Sequence, residues 1–276
     1  MIEYCMSTKC IDTASIKDKL AAIGSAGFDS VELWYCDVVG MAVPELRKMI
    51  ADSGLRVAEV VKLEGWFELD GGLMGVSNNE VAIIDECKRR MDLAAQLDCK
   101  YIVALPSRDD RGFLAEMCAG LDRYRQLLDI GQSMGVKPTL EFIGQSSQIK
   151  TIVDAVDCIR RVDHPWASMI IDVFHLWRSG GEIEDIAVAK GISVSLLHLH
   201  DVTADYPRFQ YKDRHRVMPG DGILDLKGFL TAAKELGFDG PISLGAYNHD
   251  YWVKDPFEVA REGYHKMKNV IGQVFQ

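Results

Sequence analysis

Two carboxylates and an imidazole stand where three apolar runs end. Glu141 closes Pro138-Thr139-Leu140-Glu141, Asp172 closes Met169-Ile170-Ile171-Asp172, and His198 lies in Leu196-Leu197-His198-Leu199. A fourth polar residue of this kind, Glu32, sits in Ser30-Val31-Glu32-Leu33. A charged group at the end of a buried strand is costly to desolvate unless it is paired or bound to a cation. Taken singly, Glu141 and Asp172 read equally well as caps of the helices that follow or as partners of an arginine. Three such groups on consecutive strands point instead to a shared divalent ion, held by Glu141, Asp172 and His198. Two oxygen donors and one imidazole suit Mn²⁺ first, with Co²⁺, Zn²⁺ or Mg²⁺ as alternatives, and leave positions for water or substrate.

Three further residues can take part. His175 follows Asp172 in an Asp-x-x-His arrangement on the loop leaving that strand, within reach of a substrate hydroxyl or carbonyl. His200 lies two residues beyond His198 and faces the same side by strand alternation, as a second ligand or a proton shuttle. Arg216, in Arg214-His215-Arg216-Val217-Met218-Pro219-Gly220-Asp221-Gly222, can bring a guanidinium to an oxyanion. Read alone, His175 is as often structural, and Arg216 also reads as a surface arginine that stabilises its loop.

The elements that must position these groups repeat along the chain. Ala21 to Leu33 and Ala232 to Leu244 both run from an apolar helix through a glycine turn into a buried strand, and Leu93 to Leu105 and Leu127 to Phe142 follow the same logic. Strands are expected near 2–6, 29–34, 56–61, 100–105, 136–142, 167–172, 193–199 and 240–245. Helices are expected near 15–26, 43–53, 79–98, 112–134, 148–162, 182–191, 225–237 and 255–272. Eight alternating pairs favour one closed (β/α)8 barrel of α/β class over residues 1–276, with an open doubly wound sheet as the alternative. Two long irregular stretches, Asp201 to Asp221 and Leu63 to Asn79, are expected to be functional, the second as a lid. Trp34, Tyr35, Trp66, Phe67, Tyr247, Tyr251 and Trp252 are placed to line a sugar pocket by stacking, and exposed aromatics near Tyr251 and Trp252 hint at a homo-oligomer.

Composition narrows the partners. The 276 residues carry 31 Lys plus Arg against 41 Asp plus Glu, and a net charge of -10 repels nucleic acid and anionic membrane. The opening residues lack a basic stretch followed by an apolar segment, and no apolar run is long enough to span a bilayer. The 7 cysteines show no zinc-ribbon or Cys-x-x-Cys spacing and read as reduced thiols of a cytoplasmic protein. A small-molecule carbohydrate or cyclitol is the expected partner.

The runs Leu140-Glu141-Phe142-Ile143-Gly144, Ile171-Asp172-Val173-Phe174-His175, His198-Leu199-His200-Asp201, Asp205-Tyr206-Pro207 and Asp213 to Gly222 resemble the xylose isomerase-like barrel superfamily. The likeness covers nearly the whole chain and is greatest to its inosose (2-keto-myo-inositol) isomerase branch. The resemblance implies a metal held by Glu141, Asp172, His198 and a last Glu from the eighth strand. It implies an isomerase or epimerase acting through an enediolate, with Glu141 as candidate base and His175 or His200 donating or relaying the proton. A lyase on the same scaffold, either a dehydratase or a catalytic subunit eliminating the aglycone of a 3-keto-glycoside with a small accessory subunit, shares that enediolate. The chain departs from the pattern at one place. Where the family reads Ser-Leu-Glu, it has Ser243-Leu244-Gly245. Gly245 offers no side chain, which leaves three readings: a substitute ligand such as His200 or His249, a metal with an extra water, or a weakened site in a divergent or inactive member.

Overall fold

The structure, a computed structural model, describes residues 1–63, 79–106, 116–146 and 148–275. Its strands are β1 (Glu3–Ser7), β2 (Ser30–Trp34), β3 (Arg56–Leu63), β4 (Tyr101–Ala104), β5 (Lys137–Glu141), β6 (Ser168–Asp172), β7 (Val194–Leu199) and β8 (Pro241–Leu244). They form a closed barrel in the order β1-β8-β7-β6-β5-β4-β3-β2, all neighbours parallel. An open sheet is therefore ruled out. The helices α1 (Ile16–Ala26), α2 (Val43–Asp52), α3 (Glu80–Gln96), α4 (Glu116–Met134), α5 (Ile152–Val162), α6 (Val173–Arg178), α7 (Leu226–Glu235), α8 (His249–Trp252) and α9 (Pro256–Ile271) follow the alternation. Among the described residues no helix is long and apolar enough to cross a membrane.

Local chemistry sets the helix ends. Thr151 and Asp154 form a reciprocal capping box at the start of α5, and Ser15 accepts from the Asp18 N–H at the start of α1. Gly27 ends α1 at φ 103°, a left-handed conformation costly for a residue with a Cβ. Two segments differ from the sequence expectation. Residues Ile183–Ala189 form a 3₁₀ run rather than an α-helix, hemmed between Gly181 and Gly191. The short α6 follows β6 directly because the Asp172 side chain accepts from the His175 N–H and caps it.

Two apolar cores lie on either side of the strands. The outer one packs strand residues such as Met6, Leu33, Leu140 and Met169 against helix residues such as Leu20, Ile23, Leu127 and Phe229. The inner one fills the barrel on its β3 to β7 side with Val61, Val103, Leu105, Ile143, Ile170 and Leu196. On the β1, β2 and β8 side the buried set includes Ser7, Glu32 and Ser243. Buried polar side chains also stand on the other side, where Thr139 of β5 and Ser195 of β7 lie 2.6 Å apart and Glu59 lies on β3.

The expected stretch from Asp201 contains a short antiparallel ribbon, Asp201–Val202 with Arg216–Val217. It delivers Arg216 to the interior. Tyr251 is not the exposed aromatic expected: it is buried, with its hydroxyl accepting from the Met218 N–H. Trp252 is half-buried and donates to the Lys9 carbonyl, so neither ring supplies the free apolar surface on which the oligomer reading rested. The expected lid with Trp66 and Phe67 lies outside the described residues.

Candidate functional site

At the mouth, one donor atom each of Glu141, Asp172 and His198 lies within 4.8 Å of the others. His198 Nδ1 is 2.9 Å from Glu141 Oε1 and 3.4 Å from Asp172 Oδ2. Register explains the meeting, because Asp172 pairs with His198 across β6 and β7 while Glu141 pairs with Ile170 across β5 and β6. Burial disfavours the imidazolium of His198, but Glu32 and Glu141 overcome it and hold the pKa well above the ordinary value. A proton on Nδ1 thus stands where a cation would sit. Two carboxylates and one imidazole nitrogen fit a divalent ion with open coordination positions.

Asp172 satisfies both readings made from sequence. Its Oδ1 accepts from the His175 N–H at 2.8 Å, while its Oδ2 faces His198 and accepts from Arg216 Nη1 at 3.3 Å. Burial raises its pKa, yet Arg216, His175 and His200 hold it well below the usual carboxylate range. Arg216 is buried rather than on the surface. It also donates to Asp213 Oδ1 at 2.7 Å and the Gly245 carbonyl at 3.4 Å, and lies over the rings of Phe174 and Tyr247.

The two histidines next to the ligand set are placed differently. His175 lines the cavity, and its Nε2 is 3.2 Å from Arg216 Nη2. Burial lowers its pKa, so it is neutral near pH 7. His200 stands behind Asp172, with Nε2 3.5 Å from Oδ1, and is not among the residues lining the cavity. Burial, then Arg216, push its pKa down to about 4. A Cβ placed at Gly245 would lie 3.2 Å from His200 Nδ1 and 3.4 Å from Arg216 Nη1. His200 and the guanidinium therefore border the space that an eighth-strand side chain would enter.

Trp34 and Tyr247 line the cavity in an edge-to-face pair 5.8 Å apart. Tyr35, Tyr251 and Trp252 are not part of that lining, and Tyr35 packs under Arg90.

Sequence reasoning flagged Glu32 but assigned it no role, and missed Glu59 and Lys62. Lys62 lines the same cavity beside Trp34. Glu59 is buried inside the barrel, opposite Glu32 in the strand register, with no hydrogen-bond partner among the described residues. Burial, reinforced by Glu32, raises its pKa well above the usual range. A lone carboxylate inside Val57-Ala58-Glu59-Val60-Val61 is the signal that marks it.

Residues 20–270 match the family model for the xylose isomerase-like TIM barrel. The chain belongs to that family. It is 30% identical over 274 residues to an inosose isomerase of Bacillus velezensis, covering 96% of this chain and 95% of that one. It is 27% identical over 242 residues to a 3-dehydroshikimate dehydratase of Pseudomonas aeruginosa, covering 87% of this chain but 37% of the relative. The crystal structure of the IolI protein with a bound zinc atom superposes with a TM-score of 0.86 at 23% identity, over 99% of both chains. The protein is an enzyme of this xylose isomerase-like family, in which isomerases and a dehydratase stand among its relatives.

Proposed function

We propose that the protein is a divalent-metal-dependent isomerase of a keto-cyclitol or ketose, with proton transfer beside a carbonyl as its chemistry. The observation that carries this reading is the convergence of Glu141, Asp172 and His198 on one point at the barrel mouth. A relative named as an inosose isomerase, matched over nearly the full length of both chains, supports it. A divalent ion there, Mn²⁺ first, supplies Lewis-acid polarisation of a ketone. Glu141, whose Oε1 faces His198, has a second oxygen to take the proton from the carbon next to the carbonyl. His175 is neutral and lines the cavity, and its Nε2 lone pair, beside Arg216, takes a proton from one substrate oxygen and returns it to another. Arg216 lies beside His175 and meets the oxyanion that develops. Trp34 and Tyr247 exclude water and stack on the ring of the substrate.

Gly245 favours a second reading, a lyase. Without a carboxylate from β8, a second base on the opposite face of the substrate is missing from that strand. A β-elimination needs only one base and a proton donor to the leaving hydroxyl. The test strips the protein with chelator and restores Mn²⁺, Zn²⁺, Co²⁺ or Mg²⁺ separately. Each form is then incubated with 2-keto-myo-inositol and with 3-dehydroshikimate. An isomeric ketone found by chromatography supports the isomerase, and new ultraviolet absorbance from a conjugated product supports the lyase. Turnover that survives complete metal removal sinks the metal reading.

A further inference from the structure

We infer that Glu32 is the positioning residue of this centre: it accepts the Nε2 proton of His198 and so presents the Nδ1 lone pair to a cation shared with Glu141 and Asp172. The inference rests on the metal reading above. The His198 ring is spanned by carboxylates at both nitrogens, with Nε2 2.9 Å from Glu32 Oε2 and Nδ1 2.9 Å from Glu141 Oε1. A neutral imidazole has one N–H and one lone pair, so fixing the proton at one nitrogen assigns the other as ligand.

Glu32 is suited to orient rather than to ligate. Its Oε2 accepts from the Ser243 hydroxyl at 2.7 Å as well as from His198, and its Oε1 accepts from the Ser7 hydroxyl at 3.2 Å and the Tyr247 hydroxyl at 3.3 Å. Four donors fill about the four lone-pair sites of a carboxylate, leaving none for an ion. Trp34 Nε1 donates to Ser7 Oγ at 2.9 Å, which turns the serine hydroxyl proton toward Glu32. These anchors come from β1, β2 and β8 and the loop after β8, and the register brings them level: Ser7 pairs with Glu32, and Ser243 pairs with His198. At 1% exposure, Glu32 is shielded from bulk solvent.

The experiment uses the full chain, stripped of metal and titrated calorimetrically with Zn²⁺. Long-range proton–nitrogen spectra of the zinc-loaded protein are read alongside, with the His198 signal assigned by its loss in His198→Gln. The parent chain is expected to show zinc on Nδ1 and a slowly exchanging proton on Nε2. Glu32→Gln is expected to weaken zinc binding by about 10- to 100-fold and to speed exchange of that proton. Ser243→Ala, a milder change that keeps Glu32, is expected to weaken binding about threefold. Zinc on Nε2 overturns the inference, and so does unchanged affinity in the folded variants. Should Glu32→Gln not fold, the Ser243→Ala titration decides alone. If the parent binds no ion, the metal reading falls and takes this role with it; if the parent binds and the variants bind equally, only the role of Glu32 falls.

Discussion

Asp172 and Asp201 are both buried aspartates near the barrel mouth, and they are partnered in opposite ways. Asp201 accepts four backbone N–H groups, from Val202 at 2.9 Å, Gly220 at 3.2 Å, Gly222 at 3.0 Å and Leu224 at 2.9 Å. A Cβ on Gly222 would meet the Val202 carbonyl at 2.1 Å, so only glycine lets the loop close on this carboxylate. Asp172 has one backbone donor, and the rest of its surroundings are the side chains of Arg216, His198 and His200. A carboxylate saturated by backbone amides holds a loop in place. One whose oxygens face the side chains of His198 and Arg216 can exchange a proton on His198 for an ion.

The sharpest way to break that contrast is Asp172→Asn. It is expected to lower turnover at least about 1,000-fold, or about 4 kcal/mol of transition-state stabilisation, with a matching loss of metal affinity. Retained turnover at parental metal affinity would put Asp172 in the same structural class as Asp201. Asp201→Ala should do the reverse, costing about 3 kcal/mol in urea unfolding because buried amides lose their acceptor. Zinc affinity is expected to stay within about twofold, since no metal ligand is touched. A large loss of affinity would show that loop and site act as one unit.

Gly245→Glu sharpens the comparison by adding a carboxylate on the cationic side of the site. Next to Arg216, it is expected to tighten divalent-ion binding on the order of tenfold, through a further charged ligand. Calorimetric titration showing no change would mean that position 245 does not reach the ion. The smallest effect is expected for Tyr211→Phe in the loop region. Its hydroxyl donates to the Thr203 carbonyl and accepts from the Tyr206 N–H, so its loss should cost about 1 kcal/mol in thermal or chemical unfolding and leave turnover intact.

The strand ends were legible because a carboxylate or imidazole closing an apolar run is conspicuous whatever the fold. Glu141, Asp172 and His198 stood out for that reason, and eight expected strands alternating with eight expected helices announced a barrel. The 3₁₀ run at Ile183–Ala189 was not distinguishable from an α-helix, because apolar spacing over seven residues does not separate the two periods. Tyr251 looked exposed in sequence and is buried, since its hydroxyl finds a backbone amide 33 residues away.

The sequence by itself determined the alternation of elements and the types of group available at the strand ends. Strand alternation put His198 and His200 on one side, but only the tertiary structure decided that His198 faces Glu141 while His200 sits behind Asp172. Glu32 and His198 are 166 residues apart, and nothing local links them. Closure of the barrel joins β2 to β8 through β1, which sets the Ser7, Glu32 and Ser243 side chains around one imidazole. Periodicity fixes which way a side chain points from its own strand; the partner it meets depends on the register and closure of the whole sheet.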